Sequence, residues 1–133
     1  MKEVRILTLD SRGRLVIPKI IRKSLGITNK SQLMMVADSE TKEIKIVPVG
    51  FGGESFKFKI LMKDQAGSLA KILSIFGRQG ISLVYEETIV LEKNKSAICT
   101  LIGPKPNNVN IEEFKQILKD EGDAIDIEIT PLE

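Results

Sequence analysis

The first 48 residues of this 133-residue chain carry more apolar side chains than a body of that size can bury. A segment this short leaves much of its apolar surface in contact with water when it folds alone. The apolar residues recur along its whole length: Leu7, Leu9, Leu15, Ile17, Ile20, Ile21, Leu25, Leu33, Met35, Val36, Ile44 and Ile46. We therefore expect two copies of the segment to share one core.

Turn and helix-end signals divide this segment into short elements. VRILTL and RLVI are predicted strands on either side of the turn DSRG. A helix, KIIRKSL, follows with Pro18 at its first position and Gly26 ending it, since proline suits the first position of a helix and glycine suits its end. The remaining pattern predicts two further strands, joined by a turn near residues 39–41: QLMMVADS and KEIKIVPV.

The charge is distributed unevenly along the chain. Residues 1–50 contain ten Lys and Arg against five Asp and Glu, a net charge of +5. Residues 51–133 contain ten against thirteen, a net charge of −3. The two parts of the chain are therefore predicted to have different partners or tasks.

The basic side chains of the first part cluster around one predicted hairpin. Gly13 permits a tight turn, so that Arg12 and Arg14 project from its tip, while Arg22 and Lys23 lie on the exposed side of the short helix. A two-fold dimer would double these charges into one basic face that neutralises phosphates on both sides of a DNA groove. Arginine can also bind guanine O6 and N7 together. The alternative is a solvated surface around a small core.

The stretch LDSRGRLVIPKIIRKSLGI resembles the AbrB-type swapped-hairpin domain, in which Gly-Arg, an apolar run, Ile-Pro and a basic helix pair precede Leu-Gly-Ile. The resemblance covers residues 3–49 and implies an interleaved, β-barrel-like homodimer that binds double-stranded DNA. At Leu7 the sequence departs from the family, whose better-studied DNA binders often carry an arginine there; Arg12 and Arg5 are candidates to compensate. The predicted DNA-binding residues are Arg5, Arg12, Arg14, Lys19, Arg22 and Lys23.

A boundary is predicted at VGFGGES, where glycines interrupt two strand-like patterns. The stretch lacks the third glycine and the following helix of a dinucleotide-binding loop, so it is interpreted as a linker. The predicted domains are residues 1–49, a linker at 50–54, and residues 55–133.

The second domain alternates strand and helix patterns. Phe56, Phe58, Ile60 and Met62 alternate with polar residues, as in a strand with one buried face. Asn110 with Glu113 three residues later resembles a capping box at the start of a second helix. The whole order, β-α-β-β-α-β, is the split pattern of a ferredoxin-like sandwich, which leaves one sheet face or edge open for pairing. The predicted fold class is α+β.

This second domain also resembles the ACT domain over residues 55–132, whose pattern is an Asp, a Pro-Gly, a Leu, and a helix running to Gly-Ile-Asn. Ala66 stands where proline is usual, and Ser82 where asparagine is common. The resemblance implies a regulatory module that pairs and often holds an amino acid. The effector-binding residues it implies are Asp64, Gly67, Ser68 and Leu69 on one wall, with Gly80, Ile81 and Ser82 opposite, on the same or the neighbouring subunit. The alternative is structural, with glycines for turns and leucine for the core.

Enzymatic chemistry finds little support in the sequence. The chain has no histidine, which excludes Ser-His-Asp triads and His-containing zinc sites. Its one cysteine, Cys99, lies in a strand-like run and is interpreted as a buried, inert thiol. Glu86 and Glu87 are strand neighbours that point to opposite faces and do not form a catalytic pair. No catalytic residue, metal or other cofactor is predicted.

The prediction is a cytoplasmic transcriptional regulator, without a signal peptide or a membrane span. It forms a homodimer through the first domain, with a tetramer through the ACT-like domain as an extension, and senses an amino acid. Two other classes stay open. An antitoxin would bind a toxin through its C-terminal part, and a regulatory subunit of an amino-acid enzyme would bind a catalytic chain.

Overall fold

The computed structural model describes residues 2–49 and 54–132. The chain divides into two compact units, Met1–Gly50 and Phe51–Glu133, called here the first and second units. Within the predicted linker at 50–54, residues 50–53 lie outside the described residues. The linker and the domain boundaries therefore stay predictions.

The first unit contains one short helix, α1, at Lys19–Ser24. Pro18 precedes it with φ −55° and ψ 145°, so the ring fixes the chain direction without removing a helical hydrogen bond. Gly26 follows it at φ +69°, where the Ile27 amide donates to the Arg22 carbonyl at 2.8 Å. The predicted helix is confirmed, but Pro18 is its N-cap and not its first residue, and the helix ends at Ser24.

Two strands of the first unit pair with each other. β1 at Leu33–Asp38 and β2 at Glu43–Pro48 are antiparallel neighbours. The turn between them is closed by Asp38 Oδ1, which accepts the amides of Glu40 at 2.9 Å and Thr41 at 3.3 Å. These two predicted strands are confirmed.

The other two strands predicted in the first unit, VRILTL and RLVI, are absent as strands from the described residues 2–17. Asp10 N donates to the Arg14 carbonyl at 3.0 Å, so the segment turns as predicted, but no strand ladder extends from that turn. A two-stranded hairpin without a covering layer is marginal in water. The segment has no such cover, because its apolar side chains face solvent, with Ile6 98% exposed.

No residue in the described range 2–49 is buried, and this range contains no closed barrel. The barrel-like part of the fold prediction requires strands from a second copy and stays a prediction.

The second unit contains the predicted order β-α-β-β-α-β. Its elements are β3 Ser55–Met62, α2 Ser68–Arg78, β4 Tyr85–Glu92, β5 Ser96–Pro104, α3 Ile111–Gly122 and β6 Asp126–Pro131. The four strands form one antiparallel sheet in the order β4-β5-β3-β6. The assignment to the ACT class stays a prediction.

The core of the second unit lies between its two helices and one face of its sheet. Phe58 from β3, Phe76 from α2 and Phe114 from α3 meet edge to face, with ring centroids 5.0 to 5.8 Å apart. β3 alternates strictly between buried and more exposed positions, as its sequence predicts. Asn110 caps α3 by accepting the Glu113 amide at 2.8 Å, which confirms the predicted N-cap. The reciprocal bond differs from that of a capping box, because Glu113 Oε1 accepts the side-chain NH₂ of Asn110 rather than its backbone amide.

Candidate functional site

The turn at Asp10–Arg14 is organised by one carboxylate. Asp10 Oδ1 accepts the backbone amides of Arg12 at 2.8 Å and Arg14 at 2.9 Å, and Asp10 Oδ2 accepts Arg14 Nε at 2.7 Å. Gly13 takes φ +75°, a conformation that favours glycine, and its amide donates to the Asp10 carbonyl. The turn therefore fixes both the backbone and one edge of the Arg14 guanidinium.

The same contacts stabilise the charge of Asp10. Hydrogen bonds from the Arg14 amide, then from the Arg14 guanidinium, then from the Arg12 amide hold the pKa of Asp10 below its ordinary value. Asp10 is thus an anion wherever the protein is folded near neutral pH, and its partner Arg14 is always charged.

The contact with Asp10 leaves the two terminal amino groups of the Arg14 guanidinium outside the ion pair. The contact engages Nε, and the side chain stays 69% exposed. The two terminal amino groups of the planar fork can therefore serve a phosphate or the O6 and N7 atoms of guanine. Arg12, on the same turn, is exposed as well.

The remaining predicted DNA-binding residues fall into separate groups. Arg22 and Lys23 occupy the last turn of α1 and Lys19 its first position, all of them exposed. Arg5 lies apart from both groups in sequence and pairs with Glu3 at 3.4 Å. Their convergence on one face of a dimer stays a prediction.

A depression of about 600 Å³ lies beside the organised turn. Its lining combines apolar side chains from both sides of the turn with the Asp10–Arg14 pair, and it includes Leu7, the position at which the sequence departs from the AbrB-type pattern. The lining residues are Leu7, Thr8, Asp10, Arg14, Leu15 and Val16. Its largely apolar walls are suited to burial by another chain rather than to a polar ligand.

In the second unit, Asp64 ties two loops together. Its Oδ2 accepts the Asn94 amide at 2.7 Å, and its own amide donates to the Lys95 carbonyl at 3.2 Å. Asn94 adopts φ +63° in the turn between β4 and β5, where an extra hydrogen bond offsets the strain. The carboxylate predicted to line an effector pocket therefore holds this turn.

The helix start at Gly67 and Ser68 has a polar atom without a partner. Gly67 precedes α2 at φ +89°. The Ser68 side chain is 4% exposed, and its Oγ makes no hydrogen bond within the described part of the chain. A buried hydroxyl without a partner costs free energy, so an unfilled hydrogen bond here calls for an explanation. Leu69 is half-buried and packs against the core.

The second predicted wall lies at the other end of α2. The Gly80 amide donates to the Gly77 carbonyl and the Ile81 amide to the Phe76 carbonyl, which ends the helix. Ile81 is buried and Ser82 exposed. An 11-residue helix is about 16 Å long, so the two walls do not face each other within one chain. An effector site across neighbouring subunits stays a prediction, as does the structural alternative.

The carboxylates Glu86 and Glu87 are engaged locally and separately. Tyr85 donates its hydroxyl to Glu87 Oε2 at 2.6 Å, which raises the pKa of Tyr85, and Thr88 donates to Glu86 Oε1. Cys99 is fully buried, and burial raises the pKa of its thiol, as expected of an inert core cysteine.

Within residues 2–49 and 54–132, no cluster of three or more Cys, Asp or Glu side chains is placed to hold a metal ion. No helix in these ranges is long and apolar enough to cross a membrane.

Two features of the sites are not evident from the sequence interpretation. The sequence predicts Asp10 only as a turn residue, although Asp three positions before Gly is a usual signal for a side chain that caps its own turn. Gln79, at the end of α2, has a buried Oε1 without a partner in the described ranges. No sequence signal marks it, because its burial depends on packing.

Comparison with known proteins bears on the first unit. Residues 6–53, about a third of the chain, match the family described as "Antidote-toxin recognition MazE, bacterial antitoxin". The match supports the resemblance of this part to the AbrB and MazE type of swapped-hairpin domain. No curated protein matches the chain.

Proposed function

We propose that this chain is a DNA-binding transcriptional regulator whose second unit assembles copies and senses a small effector, an amino acid. The observation that carries the first half is the Asp10-organised turn, which presents the Arg14 fork from the part of the chain that matches the MazE family. The proposal assigns no catalytic activity to the chain.

Dimerisation through the first unit follows from its lack of a core. With no buried residue among 2–49, the unit gains little hydrophobic free energy alone, and about 25 cal/mol per Å² of apolar surface becomes available when a second copy covers it. The apolar depression beside Arg14 is a place where such a copy contacts the hairpin. Two copies then present two Arg14 forks to one duplex.

The DNA-binding half is tested by fluorescence anisotropy on a duplex at several salt concentrations. Arg14→Ala is expected to weaken binding and to flatten the salt dependence, because each chain neutralises fewer phosphates. Lys30→Ala is the matched control, since it removes one exposed positive charge from the same unit outside the turn and helix. Equal losses in both variants would contradict a specific role for the turn.

The sensing half is supported by the start of α2. A helix N-terminus attracts a carboxylate, although the Ser68 amide itself already donates to the Gln65 carbonyl. The Ser68 hydroxyl, which has no hydrogen-bond partner in the described residues, is available for one further hydrogen bond. A ligand that changes how second units pair changes the spacing of two DNA-binding dimers. A coupling of about 1 to 3 kcal/mol would change operator affinity by roughly 5 to 150 fold.

Ser68→Ala tests the sensing half in the same anisotropy assay, with and without a mixture of amino acids. The variant is expected to bind DNA as the wild type does and to lose most of its response to the mixture. Its folding stability should be unchanged or raised, because a buried hydroxyl without a partner is removed. An unaltered response would contradict a role for Ser68, and no response in the wild type would remove the sensing half.

An antitoxin is the second candidate, and the match of residues 6–53 to a family of bacterial antitoxins favours it. In that case a toxin would bind this chain. The second unit has a compact aromatic core rather than a short extended tail, which favours a regulatory module. Co-purification of a small protein at fixed stoichiometry would favour the antitoxin.

A further inference from the structure

The turn between Asp10 and Arg14 carries two arginines in different positions. Asp10 and Arg14 are joined through the backbone, because the Asp10 amide donates to the Arg14 carbonyl at 3.0 Å. Residues 11–13 extend beyond that bond as a tip, which the Gly13 amide closes by donating to the Asp10 carbonyl at 3.1 Å. Arg12 is therefore the middle residue of the tip, and Arg14 lies at its base.

The two guanidinium groups also differ in their freedom to move. Arg14 Nε donates to Asp10 Oδ2 at 2.7 Å, so this side chain is held at the base of the tip. Arg12 is exposed, and its guanidinium has no hydrogen bond or ion pair within residues 2–49 and 54–132. Its backbone amide is engaged, at 2.8 Å from Asp10 Oδ1. The tip thus combines a fixed backbone with an arginine side chain that is free to turn toward a ligand.

The shape of the major groove of DNA distinguishes these two positions. The groove admits a two-stranded ribbon and is about 8.5 Å deep, with base edges on its floor. The phosphates lie along its rims. In a turn that enters the groove tip first, the middle residue of the tip comes closest to the base edges, and a residue at the base of the tip stays nearer the rims. Arg12 is then placed for bases and Arg14 for phosphates.

Guanine is the base that suits a free arginine in this groove. It presents O6 and N7 as two adjacent acceptors, and one guanidinium donates to both at once. The contact requires the planar fork to take one orientation against the base edge, which a side chain without another partner can adopt. The neighbours of Arg12 leave room for this approach, since Ser11 has a small side chain and Gly13 has none.

We infer that Arg12 is a specificity-determining residue, whose guanidinium donates to O6 and N7 of one guanine per copy of the chain, while Arg14 contacts phosphate. The inference rests on the DNA-binding half of the proposed function and on no property of the second unit. It assigns sequence recognition to the tip of the turn.

Selection of binding sites by the full chain from a pool of random duplexes is the first test. The wild type is expected to enrich duplexes with guanine at one fixed position per copy. Arg12→Ala should lose that preference, because the base contact is removed while the backbone amide that Asp10 holds remains. Arg14→Ala should keep the preference and bind all duplexes more weakly. A wild type without a guanine preference, or a preference that persists in Arg12→Ala, would overturn the inference.

A duplex with 7-deazaguanine at the selected position tests the contact at a single atom, because this base lacks the N7 acceptor. Fluorescence anisotropy should show about tenfold weaker binding of this duplex by the wild type, as expected for the loss of a bidentate contact. Arg12→Ala should bind the modified and unmodified duplexes equally. Equal losses in the wild type and the variant would assign the guanine contact to another residue and contradict the inference.

The salt dependence of binding separates a base contact from a phosphate contact. Its slope reports the number of neutralised phosphates, so it should be nearly unchanged in Arg12→Ala and reduced in Arg14→Ala. A reduced slope in Arg12→Ala, without any effect of the modified base, would show a phosphate contact and overturn the inference. If the wild type binds no duplex, the DNA-binding half of the proposed function fails as well. If it binds without discriminating among bases, only this inference fails.

Discussion

At the scale of single residues, Asp10 has a role opposite to what its charge suggests. A carboxylate on a turn that is proposed to contact DNA would repel phosphate, yet this one accepts three hydrogen bonds and fixes the Arg14 guanidinium. A fixed fork loses less conformational entropy on binding than a free side chain does. Asp10 is therefore interpreted as a positioning residue for Arg14.

Asp10→Asn tests whether DNA binding depends on the position of the Arg14 guanidinium or only on the net charge of the turn. The substitution makes each chain more positive, so a purely electrostatic basic face would bind DNA more tightly. We expect weaker binding by about tenfold, since a well-placed arginine contact contributes ~1 to 3 kcal/mol and the amide no longer holds Nε by a charged hydrogen bond. Anisotropy at fixed salt measures the change, and tighter binding by the variant would contradict the role of Asp10.

The sequence predicted the arginines of this turn but not what holds them. A glycine predicts a turn and an arginine predicts phosphate binding from residue type alone. The three hydrogen bonds that Asp10 accepts depend instead on how the backbone folds between Asp10 and Arg14. The same holds for Asp64, whose role in tying the Asn94 turn requires two loops 30 residues apart to meet.

At the scale of elements, a helix or strand is predicted correctly from the sequence when the elements that it packs against lie in the same chain. β1 and β2 pair through a four-residue turn, and the helices and strands of the second unit meet around three phenylalanines, so period and turn signals sufficed. The segments VRILTL and RLVI have equally strong strand patterns and form no strand. Their alternating apolar residues are typical of strands with a buried face, and these side chains are exposed in the single chain.

The α3 cap gives a test at this scale. Asn110→Ala removes the acceptor of the Glu113 amide and is expected to destabilise the second unit by about 0.5 to 2 kcal/mol. Urea unfolding followed by the fluorescence of Tyr85, which lies in this unit, reports the change as a lower midpoint. Asn108→Ala, an exposed loop position in the same unit, is the control. Equal midpoints for the two variants would contradict the contribution of the cap.

At the scale of the whole molecule, the two units differ in net charge and in whether they have a buried core. The first unit is basic and has no buried residue among 2–49, as expected of a unit whose proposed partners, a second copy and DNA, cover its surface. The second unit has its own core and a net negative charge, which keeps it off the phosphates. A regulator needs both properties, because binding in one unit must alter assembly through the other.

The central claim is that the hairpin segments pair between two copies and present their turns to DNA. Hydrogen–deuterium exchange of the intact protein, with and without a duplex, tests both parts at once. We expect slow exchange in residues 4–9 and 14–17 without DNA, because strands of a second copy pair with them, and further slowing at Asp10–Arg14 when DNA is added. Rapid exchange in both segments, unchanged by DNA, would contradict the account.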